Sequence, residues 1–180
     1  MPNIDAAQAI GLVALVIGGC NFLNTNDHQF KVQLTIFCVV LSIHFYLMGA
    51  ITGCIISFIS GLRTLVSLKN HDYRIMFIFM SVFWLVGLPS IDYGYELLPI
   101  IGSSITTYAY FKTGGIKMRL LVGINSLCWL VHNILISSIG GVTMETIFIV
   151  FNLYTISRIY SSNLELKRKL KHQYHQCDPS

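Results

Sequence analysis

Charge is scarce in this sequence. Charged residues make up 11% of its 180 residues, whereas a soluble domain carries about 25%. A short chain has a large surface for its volume, and in water that surface needs charge. Apolar residues instead make up 54% of the chain. The composition therefore argues strongly against a soluble monomer, and it leaves too little polar sequence for a separate catalytic or nucleic-acid-binding domain.

The residues that usually build a covalent or catalytic site are also sparse. The five cysteines are an odd number and form no CxxC pair, which argues against a disulfide framework or a zinc site. Four of them lie in apolar runs, where a thiol behaves as a small hydrophobic group. The sequence has no nucleophile motif, no phosphate-binding glycine loop and no carboxylate pair. We therefore predict no enzymatic activity, no catalytic residue, no cofactor and no metal site.

Long apolar runs are what the sequence does contain. In lipid every backbone polar group must be bonded within the protein, so such runs form helices, and each needs about 20 residues to cross a bilayer. We predict an all-α membrane protein with seven transmembrane helices. The predicted spans are Ala9–Leu23, Val32–Ala50, Ile51–Leu68, Ile75–Ile91, Leu97–Phe111, Met118–Ser138 and Val142–Tyr160.

The distribution of basic residues predicts the orientation, because short cytoplasmic loops are enriched in Lys and Arg. With seven spans, all twelve basic residues fall on one side. Lys31 lies in the first inner loop and Arg119 in the third, and the tail after Tyr160 is also basic. The outer segments carry only acids. We predict an N-outside, C-inside topology, and the net charge of +4 is then a topology signal and not a nucleic-acid footprint.

A weak internal repeat divides the chain. A shift of 88 positions pairs Lys31 with Arg119 and His44 with His132, and a shift of 91 pairs Gly61 with Asn152. Spans one to three match spans five to seven, and the fourth restores the same orientation to both halves. The predicted architecture is a 3+1+3 parallel repeat. Its parts are a first triple-helix bundle (1–70), a linker helix (71–95), a second triple-helix bundle (96–160) and a basic cytoplasmic tail (161–180).

Polar residues inside a membrane are costly and are therefore candidates for function. They could line a polar path, or they could join helices by hydrogen bonds, and both alternatives stay open for each residue. A metal or haem site between the two repeat-related histidines is the alternative to the predicted absence of a metal and a cofactor. The candidate path residues are Asn21, His44, Thr106, Trp129, His132 and Asn152.

Three charged residues near the predicted span ends are candidates for a structural or coupling role. Arg63 and Arg158 lie near inner ends, where long side chains can extend to the headgroups. Glu145 lies at the outer start of the seventh span, and a carboxylate is favourable at a helix N-terminus.

Two segments carry a resemblance to a known family. The first is HFYLMGAITGCIISFISGLR, from His44 to Arg63, and the second runs from LCWLVHN to YTISR, ending at Arg158. Together they resemble the YgjV family of bacterial inner membrane proteins, which implies a multi-pass protein of that membrane. The matching residues are His44, Gly49, Ala50, Thr52, Gly53, Arg63, Trp129, Asn133, Ser138, Glu145 and Arg158.

That family in turn resembles the SWEET, SemiSWEET and PQ-loop proteins. This wider resemblance implies seven helices in a 3+1+3 arrangement, with a substrate path between two bundles. The sequence departs from the wider group in having no Pro-Gln pair in either short first span, and Gly61 stands where the other half has Asn152.

These features lead to two functional hypotheses. The first is a carrier that moves a small polar solute by rocking one bundle against the other. The second is a membrane scaffold or regulator, with polar residues joining its helices and its basic tail contacting lipid or a partner. The predicted partners are membrane lipids and a polar solute, and not nucleic acid. The sequence leaves the oligomeric state open.

Overall fold

Seven α-helices and two short 3₁₀ turns make up the part of the protein that the structure describes. A computed structural model describes residues 4–48, 51–91, 93–135, 137 and 139–177, and within these ranges the chain has no β-strand. This confirms the predicted all-α class and the seven helices. The helices are α1 (Ile4–Phe22), α2 (Asp27–Leu47), α3 (Ile51–Val66), α4 (Tyr73–Gly87), α5 (Leu97–Lys112), α6 (Gly115–Leu135) and α7 (Ile139–Cys177).

Helices α2 and α6 begin earlier than the apolar runs predict. At α2 the Asn26 side chain caps the helix by accepting hydrogen bonds from the backbone N–H groups of His28 (2.9 Å) and Gln29 (3.1 Å), so the helix starts before its residues become apolar. Lys31 and Arg119 consequently lie within helices. Their predicted placement in loops is wrong, because hydropathy locates the apolar stretch and a cap locates the start of the helix.

Helix α7 continues far beyond the predicted seventh span. It has 39 residues and is therefore about 58 Å long at 1.5 Å per residue, whereas the hydrocarbon core of a bilayer is about 30 Å thick. The residues from Ser161 to Leu170 are all exposed. The predicted basic tail is thus a helical extension as far as Cys177.

The distribution of exposed and buried residues is the reverse of a soluble protein. Leu12 and Leu85 are among many large apolar side chains on the surface, while Asn21, Thr107 and Arg119 are fully buried. A continuous apolar exterior of this kind is stable against lipid and not against water. Among the described residues, three helical segments are long and apolar enough to cross a membrane: Asp27–Leu47, Gly115–Leu135 and Gly141–Leu170. The molecule is a helical membrane protein.

Helices that are neighbours in the sequence pack against each other, and the first and last helices are also in contact. Helix α2 packs between α1 and α3, α6 packs between α5 and α7, α4 packs against α5, and α1 meets α7. An aromatic cluster fills the centre: Phe148 stacks on Phe22 with ring centroids 4.7 Å apart and meets Phe37 edge-on at 5.9 Å. These rings hold α1, α2 and α7 together.

Candidate functional site

Two ends of the bundle have different chemistry. The region where α1 and α5 end and α2 and α6 begin is called the Lys31 end. The His44 end is the region where α2 and α6 end and α3 and α7 begin. Most of the candidate residues belong to one end or the other.

A half-open cavity of about 420 Å³ lies at the His44 end and is lined by α1, α2, α6 and α7. Small-molecule sites commonly have volumes of about 300–1,000 Å³, so this cavity is large enough for a small solute. Its lining is mainly apolar with a few polar groups. The lining residues are Gly11, Ala14, Leu15, Leu41, His44, Phe45, Trp129, Asn133, Gly141, Met144 and Glu145.

Glu145 is the charged residue of this cavity. Its side chain is buried, with 7% of the residue exposed, and it lies near the start of α7. The carboxylate lies near Ser126, and its Oε2 atom has no hydrogen-bond partner among the described residues. A buried carboxylate oxygen without a donor is costly, so a ligand that brought a hydrogen-bond donor to this atom would relieve that cost.

His44 is held in place by α1. Its Nδ1 atom lies 2.7 Å from the carbonyl oxygen of Ala7. A carbonyl only accepts, so Nδ1 carries the proton, and the neutral ring then has its acceptor at Nε2. Gly11 leaves room for this ring, because a Cβ there would lie 2.9 Å from the His44 Cε1 atom.

Aromatic and amide groups complete the wall. Phe45 and Trp129 contribute rings, and Asn133 contributes a largely buried amide. Gly141 lets α7 approach this amide, because an added side chain would overlap it. The cavity therefore brings together three residues that the sequence analysis singled out, His44, Trp129 and Glu145.

The other candidate path residues do not line this cavity. Asn21 is fully buried near the end of α1, and neither of its side-chain amide atoms has a hydrogen-bond partner in the described part of the chain. The Asn152 Nδ2 atom donates to the Arg119 carbonyl oxygen at 2.8 Å. The His132 ring packs against Tyr95, with centroids 6.0 Å apart.

The two histidines make different kinds of contact. His44 contacts α1, whereas His132 contacts the turn before α5 and Trp129. Within the described ranges, no group of three or more His, Cys, Asp and Glu side chains is placed to hold a metal ion.

Arg63 is buried rather than extended to the headgroups. Only 5% of it is exposed, and its Nη1 atom donates at 3.2 Å to the Ser103 carbonyl oxygen and to the hydroxyls of Thr106 and Thr107. The candidate path residue Thr106 thus takes part in a contact between α3 and α5. Arg158, in contrast, is exposed and lies 5.8 Å from the Tyr154 ring centroid.

Two further cations at the Lys31 end were absent from the candidate residues. The Lys31 Nζ atom donates to the Tyr110 carbonyl oxygen at 2.5 Å. Arg119 is fully buried, donates through Nη2 to the Asn24 carbonyl oxygen at 2.8 Å and lies 4.0 Å from an Asp27 carboxylate oxygen. The repeat alignment pairs Lys31 with Arg119 and was the signal that could have identified them.

Comparisons with known proteins cover nearly all of these residues. A family model, Imp-YgjV, described as a bacterial inner membrane protein, matches residues 5–163. Inner membrane protein YgjV of Escherichia coli strain K12 is 33% identical over 154 residues, which cover 86% of this chain and 84% of that relative. No solved structure matches the chain significantly.

Proposed function

The chain belongs to the Imp-YgjV family of bacterial inner membrane proteins. We propose that all seven of its helices cross the inner membrane and that the protein transports a small polar solute across it. In this proposal α1–α3 and α5–α7 form two like-oriented bundles, α4 links them, and the protein has no enzymatic role.

Agreement between the two halves supports the repeat. Helices α2 and α6 both have 21 residues, and their starts, Asp27 and Gly115, and their ends, Leu47 and Leu135, are each 88 positions apart. His44 contacts Ala7 and His132 contacts Tyr95, so each histidine meets the residue 37 positions before it. Repeat-related bundles of this kind place a solute site at the interface between them.

The observation that carries the proposal is the contrast between the two ends. The cavity at the His44 end lies between α1 and α2 of one half and α6 and α7 of the other. At the Lys31 end the halves are joined by hydrogen bonds: Thr155 Oγ1 to the Phe22 carbonyl oxygen at 2.6 Å, and the Gly115 N–H to Asp27 Oδ2 at 2.5 Å. This arrangement fits a carrier that is open at the His44 end.

Transport then requires the two ends to exchange roles. The bonds between the halves at the Lys31 end, including those from Lys31 and Arg119, break as that end opens, while α1 and α2 close on α6 and α7 at the His44 end. A neutral intramolecular hydrogen bond contributes about 0.5–1.5 kcal/mol net and one from a charged donor about 1.5–3 kcal/mol, so new contacts at the His44 end have to offset the loss.

The orientation is open to a direct test. We expect the Lys31 end to face the cytoplasm, because it holds Lys31, Lys112 and Arg119. Alkaline phosphatase, which needs disulfides and so an oxidising compartment, should be active when fused near Gly94 and inactive when fused at Gly114 or Ser180. Activity at Gly114 would contradict the orientation.

Alternating access can be tested without knowing the solute. In a chain whose five cysteines are replaced by alanine, Leu15→Cys places one thiol in the cavity. We expect a membrane-impermeant maleimide to label it quickly from the His44 side and slowly from the Lys31 side. Labelling from the His44 side alone, under every condition tried, would refute a carrier.

A matched pair of threonine variants sharpens this experiment. Thr155→Val removes one bond between the halves and should speed labelling from the Lys31 side by about fivefold, the equivalent of about 1 kcal/mol. Thr146→Val is the control, because Thr146 is exposed and its hydroxyl donates to the Val142 carbonyl oxygen within α7. Equal labelling rates in the two variants would show that the Thr155 bond does not hold that end closed.

A scaffold or regulator is the second candidate, and the α7 extension favours it. This exposed helical segment carries Lys167, Arg168 and Lys169, and a basic segment next to a membrane attracts anionic headgroups or an acidic partner. A scaffold predicts that the Leu15→Cys thiol is reached from one side only, so the same experiment separates the two functions.

A further inference from the structure

One carboxyl group dominates the electrostatics of the cavity at the His44 end. Among its described lining residues Glu145 is the one charged group, and no Lys or Arg lines the cavity. The buried cations Lys31, Arg63 and Arg119 belong to other parts of the bundle. A negatively charged solute would therefore meet an uncompensated carboxylate, whereas a positively charged one would neutralise it.

The unpartnered oxygen of Glu145 indicates which kind of positively charged group a ligand would need. Oε2 is buried and lacks a hydrogen-bond donor in the described structure, and an ionised carboxylate is satisfied by N–H or O–H donors. Bonds from a charged donor to a carboxylate are about twice as strong as neutral ones. An ammonium group supplies both the charge and the hydrogen atoms that this oxygen lacks.

The remaining lining suits the same ligand. The Phe45 and Trp129 rings are aromatic faces of the kind that attract cations, and when the His44 ring is neutral its Nε2 atom is an acceptor and not a donor. The apolar residues, among them Leu15, Leu41 and Met144, suit a short hydrocarbon chain. The cavity volume of about 420 Å³ accommodates a small organic molecule and exceeds what a bare metal ion needs.

We propose that this cavity binds the ammonium group of a small organic amine, with Glu145 as its counter-charge. The statement that this amine is the transported solute rests on the proposed carrier function and names the chemical class of that solute. The statement that the cavity binds an amine rests only on the residues that line the cavity.

A ligand series that varies only in charge tests the site. Trp84→Phe leaves Trp129 as the single tryptophan of the chain, so the tryptophan fluorescence of this variant reports on the cavity. We expect butylammonium to change this emission saturably, and butanol and butyrate to leave it unchanged at the same concentrations. No saturable change with butylammonium, or equal binding of the three probes, would overturn the proposal.

Two glutamate variants on the same helix provide the matched comparison. Glu145→Gln keeps the size of the side chain and removes its charge, and we expect it to weaken butylammonium binding by about tenfold or more. Glu165→Gln removes an exposed carboxylate of the α7 extension and should leave binding unchanged. Unchanged affinity in Glu145→Gln would overturn the role of Glu145. If that variant fails to fold, the charge series on the Trp84→Phe protein still decides the proposal.

Failure of this proposal is distinguishable from failure of the carrier. Thiol labelling of Leu15→Cys uses no ligand, so labelling from both sides without ammonium binding would leave a carrier for another solute class. Ammonium binding with labelling from one side only would instead indicate a receptor for amines.

Discussion

Replacing Arg119 with alanine should lower the free energy of unfolding by about 3 kcal/mol. Removing one member of a buried ion pair costs about 3–5 kcal/mol, and the lower part of this range applies because the Asp27 side chain is 31% exposed and can regain water. The variant also loses the bond to the Asn24 carbonyl oxygen and the contact with the Phe30 ring, whose centroid lies 3.7 Å from the guanidinium carbon. Unfolding followed by circular dichroism in mixed micelles measures the difference.

Arg158→Ala is the control for this variant. Both residues are arginines in long helices, but Arg158 is exposed, and exposed substitutions usually change stability by no more than about 0.5 kcal/mol. Similar stability losses in the two variants would contradict the structural role of Arg119 and would indicate that arginine at either position acts only through the membrane surface.

Gly18→Ala should lower the free energy of unfolding by about 1–3 kcal/mol, the usual cost of adding a carbon to a filled core. A Cβ at this position would lie 2.8 Å from the Phe148 Cζ atom and 2.9 Å from the Phe37 Cε2 atom. Neither ring can easily move, because each contacts the other and Phe148 also stacks on Phe22. The same micelle unfolding experiment measures the loss.

Gly19→Ala is a control one residue away. The nearest atom to a Cβ there is the Phe151 Cε2 atom at 3.5 Å, an ordinary contact, and alanine is a better helix former than glycine by about 1 kcal/mol. This variant should be as stable as the parent protein or slightly more stable. If both glycine variants lose or gain the same amount, close packing at Gly18 is not what holds α1 against α2 and α7.

The helices and the family were predictable because they depend on local properties of the chain. An apolar run must become helical in lipid wherever it occurs, so seven runs predicted the seven helices that the structure contains. The motifs around His44 and Trp129 predicted the family that the comparisons confirm.

The burial of three basic residues could not be predicted from the sequence around them. Lys31, Arg63 and Arg119 stand at the polar edges of apolar runs, where a headgroup position is the ordinary expectation. The structure buries all three. Each has backbone carbonyl oxygens of another segment within reach, and the sequence around these residues does not reveal that proximity.

The sequence by itself determined that this protein is helical, that it lies in a membrane and which family it belongs to. The tertiary structure alone decided that His44, Trp129 and Glu145 share one cavity, that His132 and Asn152 do not line it, and that three cations join segments inside the bundle. Hydropathy is a property of each run taken separately. Which side chains meet depends on how each helix is rotated about its axis and where it crosses its neighbours. Close contacts between helices, such as the one at Gly18, determine this rotation and this crossing point.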